Sequence, residues 1–198
     1  MFIYNNRVLK AKDVLSIESI IAILKKKKVK LAPGLTEDEI RKCEKIFDIK
    51  FPPALKNLLK EVLPISKEFI NWRDHSKRNV LQIKKRLDWP WEGIVFDIEE
   101  NDFWVQSWGV KPDLVTERIR IAKEKYDVAP KLVPIYSHRY MPEGSEQVLS
   151  VYQTDIIFYG TTLLEYFQIE LDWKPYERMD FENIKAIPFW TEIIDANN

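Results

Sequence analysis

His138, Arg139 and Asp155 are the polar residues set into an otherwise apolar stretch running from Leu132 to Gly160. With Ser137 or Ser150 they supply the residue types of an acyl-transfer triad: a hydroxyl to attack, an imidazole to take its proton and a carboxylate to orient the ring. No Gly-x-Ser-x-Gly turn accompanies them. A histidine between a serine and an arginine at a strand end serves equally as a hydrogen-bonded structural residue, and that is the reading preferred. Metal chemistry lacks its ligands, because His75 and His138 are the only histidines, Cys43 is the only cysteine, and no His-x-x-x-His or Cys-x-x-Cys spacing occurs. The five glycines, at 34, 93, 109, 144 and 160, stand isolated and form no phosphate-cradling loop. No cofactor and no metal are expected.

A second constellation precedes that stretch. Between residues 91 and 110 lie Glu92, Asp97, Glu99, Glu100 and Asp102 with no lysine or arginine. They do not alternate around a glycine as a calcium loop requires. Five of the seven tryptophans (Trp72, Trp89, Trp91, Trp104 and Trp108) fall within 37 residues of one another. Interleaved with acids, they make no stacking platform for single-stranded nucleic acid, which needs a cationic groove. They suit a core or a protein-binding surface. The net charge of zero is itself divided: residues 1–90 carry 21 Lys and Arg against 11 Asp and Glu, residues 91–198 carry 10 against 20. An acidic face attracts basic partners and speeds their encounter.

The elements that must position these groups follow from hydrophobic period and punctuation. Val14, Ile17, Ile20, Ile21 and Leu24 predict an amphipathic helix over 13–28, closed by Lys25 to Lys28, whose charge suits a helix C-terminus. Pro33-Gly34 breaks the chain, and Thr36 with Glu39 forms a capping box for a helix burying Ile40, Cys43, Ile46 and Phe47. Cys43 reads as buried and inert, with no histidine near it in sequence. Pro52-Pro53 opens a further helix through Leu55, Leu58, Leu59 and Val62, ended by Pro64. A helix is expected over 76–87, broken by Trp89-Pro90-Trp91-Glu92-Gly93, with a short strand at Ile94-Val95-Phe96. Another helix is expected over 112–127 with Leu114, Ile121 and Ala122 inward. Strands separated by a turn at Glu143 to Glu146 follow, then a helix capped by Thr161 and a last one opened by Pro188-Phe189-Trp190. Helices, then strands, then helices give an α+β class.

The order of these motifs resembles the SUKH superfamily in its Smi/Knr type. The resemblance is carried by Gly34-Leu35-Thr36-Glu37-Asp38-Glu39-Ile40, Phe51-Pro52-Pro53-Ala54-Leu55-Lys56, Asn71-Trp72-Arg73-Asp74, Trp89-Pro90-Trp91-Glu92-Gly93-Ile94-Val95-Phe96-Asp97-Ile98, and Phe103-Trp104 with Trp108-Gly109. It continues in Leu132 to Tyr140 and Ser150 to Gly160, and ends in Ile187-Pro188-Phe189-Trp190. Pro64-Ile65-Ser66 departs from the glycine- or asparagine-rich turn that many members carry after this helix. The resemblance implies an antiparallel sheet flanked by helices, with residues 1–33 as an N-terminal helical extension to a domain of 34–198. It makes His138, Arg139, Tyr140, Asp155 and Gly160 a structural signature. It also implies the role of many bacterial members, immunity proteins that bind and neutralise a cognate toxin, often a nuclease; no catalytic residue comes with it.

The expectation is a cytoplasmic, non-enzymatic protein that binds a toxin domain with a basic surface and contacts neither nucleic acid nor membrane. Its expected contact residues are Glu92, Asp97, Glu99, Glu100 and Asp102, with Trp104 and Trp108 as anchors. No apolar run approaches membrane-spanning length, and Met1 to Arg7 lacks the residue order of a signal peptide. Two other readings stay open: a regulatory interaction module with an endogenous partner, and a hydrolase using His138 and Asp155.

Overall fold

A computed structural model describes residues 2–4, 7–9, 11–172 and 174–197, with side chains from residue 15 onward except at 172. In chain order the elements are β1 (Phe2–Tyr4), β2 (Arg7–Leu9), α1 (Ala11–Lys26), β3 (Leu31–Pro33), α2 (Glu37–Phe47), α3 (Pro53–Glu61) and β4 (Val62–Pro64). There follow α4 (Lys77–Glu100), α5 (Val115–Tyr126), β5 (Leu132–Tyr136), β6 (Arg139–Pro142), β7 (Val148–Tyr152), β8 (Asp155–Gly160), α6 (Leu163–Phe167) and α7 (Trp190–Ala196). The strands form antiparallel pairs β1–β2 and β3–β4 and a four-stranded antiparallel meander in the order β5-β6-β7-β8. The class is α+β, as expected.

The meander is buried on both faces, because successive side chains of a strand point to opposite sides. Val133, Ile135, Met141 and Val148 join the core formed with α1, α2, α3 and α6. Leu132, Tyr140, Leu149, Val151, Ile156 and Phe158 join the other, with α4, α5 and α7. Helices therefore cover the sheet on two sides. From residue 15 to 33 the chain is not packed as a separate extension: Ile17, Ile20, Ile23 and Leu24 of α1 lie in the same core as α2 and α3, and β3 pairs with β4. The Val14 side chain lies outside the described residues.

The capping box at α2 forms as the spacing predicts, with the Glu39 amide donating to Thr36 Oγ1 at 3.2 Å and the Thr36 amide to Glu39 Oε2 at 2.8 Å. α3 ends at Glu61, before Pro64, because Val62 to Pro64 is claimed by pairing with β3. Leu114 is exposed rather than buried, since α5 begins one residue after it. The cap of α6 is Thr162, whose hydroxyl accepts from the Glu165 amide at 3.1 Å.

Glu165 gathers the C-terminal segment. Its Oε2 accepts from the Thr161 amide at 2.8 Å and hydroxyl at 2.7 Å, and its Oε1 accepts from the Asp180 amide at 3.0 Å and from Lys174. Burial pushes this carboxyl up, but Lys174 and the Thr161 and Asp180 donors outweigh it and hold the pKa at about 2. A folded pKa below the ordinary 4.5 contributes stability that is complete above that value and lost as pH falls from about 4.5 to about 2. Urea denaturation across that window should show a steeper loss in the native chain than in Glu165→Gln; parallel curves would remove Glu165 as the source.

Candidate interaction surface

α4 is the element on which the candidate residues sit, and it runs unbroken through the segment expected to end it. Ser76 caps it by accepting from the Asn79 amide at 3.3 Å. The expected break at Trp89 to Gly93 and the strand at Ile94 to Phe96 are both corrected: Pro90 and Gly93 lie inside the helix. An interior proline removes the N–H that would bond the carbonyl four residues back. Here that carbonyl belongs to Arg86, and Tyr140 Oη donates to it at 2.8 Å. Burial raises the Tyr140 pKa, so the phenol keeps the proton it donates. Gly93 does not break the helix but admits a neighbour, since a Cβ there would lie 2.6 Å from Gln153 Cα.

The same helix is tied to the sheet at two further points. Arg86 donates to the Ser137 carbonyl in the β5–β6 turn. Asp97 Oδ2 accepts from the Thr154 amide at 2.8 Å and hydroxyl at 2.6 Å in the β7–β8 turn, and its Oδ1 accepts from Asn101 at 2.6 Å. Asp97 is only 5% exposed. It is an anchor of α4, and its expected place on the contact surface is corrected.

The remaining contact residues divide by environment. Glu92, Glu99 and Glu100 are exposed on α4, and among the described residues none has an ion-pair partner. Asp102 is exposed but engaged by Lys111 and Arg118, each at 2.6 Å, and Lys111 first and Arg118 second hold its carboxyl below the usual range. Trp104 is half-buried and donates its indole N–H to the Gly109 carbonyl at 2.9 Å. Trp108 is buried, stacked on Phe189 with ring centroids 5.6 Å apart. It belongs to the core, so its assignment as an anchor is corrected.

The aromatic surface that does exist was missed by sequence reasoning. Leu81, Trp89 and Phe96 are 57%, 43% and 45% exposed. Together with Arg78, Lys85, Glu92 and Glu99 they recur at three or four residues and so share one face of α4. Trp89 packs edge-on to the exposed Tyr152, with centroids 6.4 Å apart. The helical period through Pro90 carried this signal; treating the proline as a stop hid it.

The charges of α4 also stand where its dipole disfavours them. Helices favour acids in the first turn and bases in the last. α4 begins with Lys77 and Arg78 and ends with Glu99 and Glu100, with no acid in its first turn and no base in its last. Its charge order does not serve the helix itself.

The signature residues tie the sheet to the elements around it, with one exception. Arg139 is buried; its Nε donates to Glu170 at 2.9 Å, its terminal nitrogen to Ser150 Oγ at 2.7 Å and to His138 Nε2, and it lies 4.0 Å from the centroid of the Tyr159 ring. A Cβ at Gly160 would meet Tyr166 at 2.9 Å, so glycine lets β8 run up against α6. Asp155 is exposed at the start of β8, and its carboxylate makes no hydrogen bond or ion pair among the described residues. Its expected structural role is corrected.

Nor do His138 and Asp155 come together as acid and base. Arginine has no acceptor, so His138 Nε2 accepts from Arg139. Burial, then Arg139, lowers the His138 pKa and favours the neutral ring, whose proton then sits on Nδ1, 3.2 Å from Ser137 Oγ. A protonated Nδ1 has no lone pair with which to take the serine proton. Ser137 and His138 line, with Lys85, Arg86, Trp89 and Tyr152, a groove of about 430 Å³ between α4 and the hairpin turns. Cys43, read in sequence as having no histidine near it, lies 3.7 Å from His75 Nε2. Burial nevertheless pushes its thiol up to about 11, and the thiol donates to the Trp72 carbonyl at 3.1 Å. Among the described residues no group of three His, Cys, Asp or Glu is placed to hold a metal, and no helix is long and apolar enough to cross a membrane.

Tyr140→Phe should cost about 1–2 kcal/mol in urea unfolding by stranding the Arg86 carbonyl. In a Pro90→Ala background, where residue 90 regains an N–H, the cost should fall by at least about half; equal costs would detach Tyr140 from the proline. Glu99→Gln with Glu100→Gln should raise stability by about 0.3–1 kcal/mol per residue, read from the same curves. No family model, curated protein or solved structure matches the chain.

Proposed function

We propose that the chain is a non-enzymatic binding protein of the SUKH type, acting in the cytoplasm as an immunity protein that neutralises a toxin domain by covering its basic surface. The observation that carries this reading is the C-terminal half of α4. Glu92, Glu99 and Glu100 stand exposed without ion-pair partners among the described residues, beside the exposed rings of Trp89 and Phe96. Exposed carboxylates speed the encounter with a cationic partner, and aromatic side chains supply contact area once water is excluded. A nuclease must present cations to bind phosphates, so an acidic helix end is a suitable blocker for one. An antiparallel sheet flanked by helices is also the arrangement the resemblance implies.

Co-expression with a toxin-like gene encoded beside this one tests the proposal. Survival of the cells and co-purification of the two proteins is the expected result; continued cell death without a complex would sink it. Glu99→Lys with Glu100→Lys should slow association at low salt by about tenfold, with little effect at high salt.

A further inference from the structure

We infer that the exposed face of α4 is self-complementary and pairs antiparallel with α4 of a second copy of this chain. The inference starts from a symmetry in the order of side chains. Arg78 and Glu99 are equidistant from the junction of residues 88 and 89, as are Leu81 and Phe96, and Lys85 and Glu92. A two-fold axis through that junction sets each residue opposite the other member of its pair on the partner helix. Arg78 then meets Glu99, Lys85 meets Glu92 and Leu81 meets Phe96, each twice, with Trp89 beside the axis.

Three observations support a second copy as occupant. The face is open: Leu81, Trp89 and Phe96 are exposed along it, and Tyr152 widens the apolar patch beside Trp89. Its charges are divided, bases before Asp88 and acids from Asp88 onward. A wholly cationic partner would complement only one half and repel the other, whereas an antiparallel copy complements both. The charge order is also the reverse of the one the helix dipole favours, so it is not explained by the stability of the single helix. A face about 36 Å long and about 10 Å wide, one helix across, covers about 360 Å², small beside the roughly 800 Å² per partner of tight complexes. The dimer is therefore reversible, with a dissociation constant of the order of micromolar. A second copy and a basic partner would compete for Glu92 and Glu99.

Sedimentation velocity from about 1 µM to several hundred µM tests the inference. The native chain should move from its mass of 23.6 kDa towards twice that value. Lys85→Glu and Glu92→Lys, both at exposed positions, should each weaken self-association by at least about tenfold, since each places like charges across the axis. Mixed together, the two variants should associate more tightly than either does alone, because both contacts become Glu opposite Lys. A native chain that stays monomeric at several hundred µM overturns the inference, and so does a mixture no tighter than its components. A monomer that still protects cells overturns the dimer alone; a dimer that protects no cell overturns the immunity reading alone.

Discussion

A single hydrogen bond, from Tyr140 Oη to the Arg86 carbonyl, lets the longest helix pass through a proline. Without a donor from elsewhere, Pro90 would leave that carbonyl unpaired beside a core, and the chain would favour ending the helix before it. The donor comes from the middle of the sheet, so helix and sheet are completed by one another. Once α4 is continuous, its C-terminal half reaches the β7–β8 turn, where Gly93 admits Gln153 and Asp97 satisfies Thr154. Those contacts fix which side of the helix faces water.

The two cores meet this arrangement from opposite sides of the meander. One is built from the N-terminal helices and α6, the other from α4, α5 and α7. The charged residues buried between elements are tied to several partners each: Arg139 to Glu170, Ser150 and the Tyr159 ring, Glu165 to Thr161, Lys174 and Asp180. Such groups are costly to bury unless paired, and here the pairing joins segments distant in sequence.

Much of this was legible from local rules. The capping box of Thr36 and Glu39, the proline-opened α3 and the helix after Phe189 follow from spacing and punctuation, because each depends on residues close in sequence. What was illegible depended on a partner far along the chain. Pro90 reads as a stop until Tyr140, fifty residues later, supplies the missing donor. Asp97 reads as a surface acid until Thr154 is seen to bind it, and Trp108 as an anchor until Phe189 stacks on it. The surface itself, Leu81 to Glu99 on one face, became visible only when the helix was allowed to continue.

The order of charge along α4 has a consequence for motion before contact. Lysines and arginines at its N-terminal half and carboxylates at its C-terminal half add to the peptide dipole rather than cancel it. The chain as a whole carries no formal net charge. A distant charged body therefore feels little pull from its total charge, and the helix exerts chiefly a torque. Two molecules drifting together would be turned into alignment before their side chains touch, so that orientation, the slow part of most protein encounters, is partly settled by a field written along one helix.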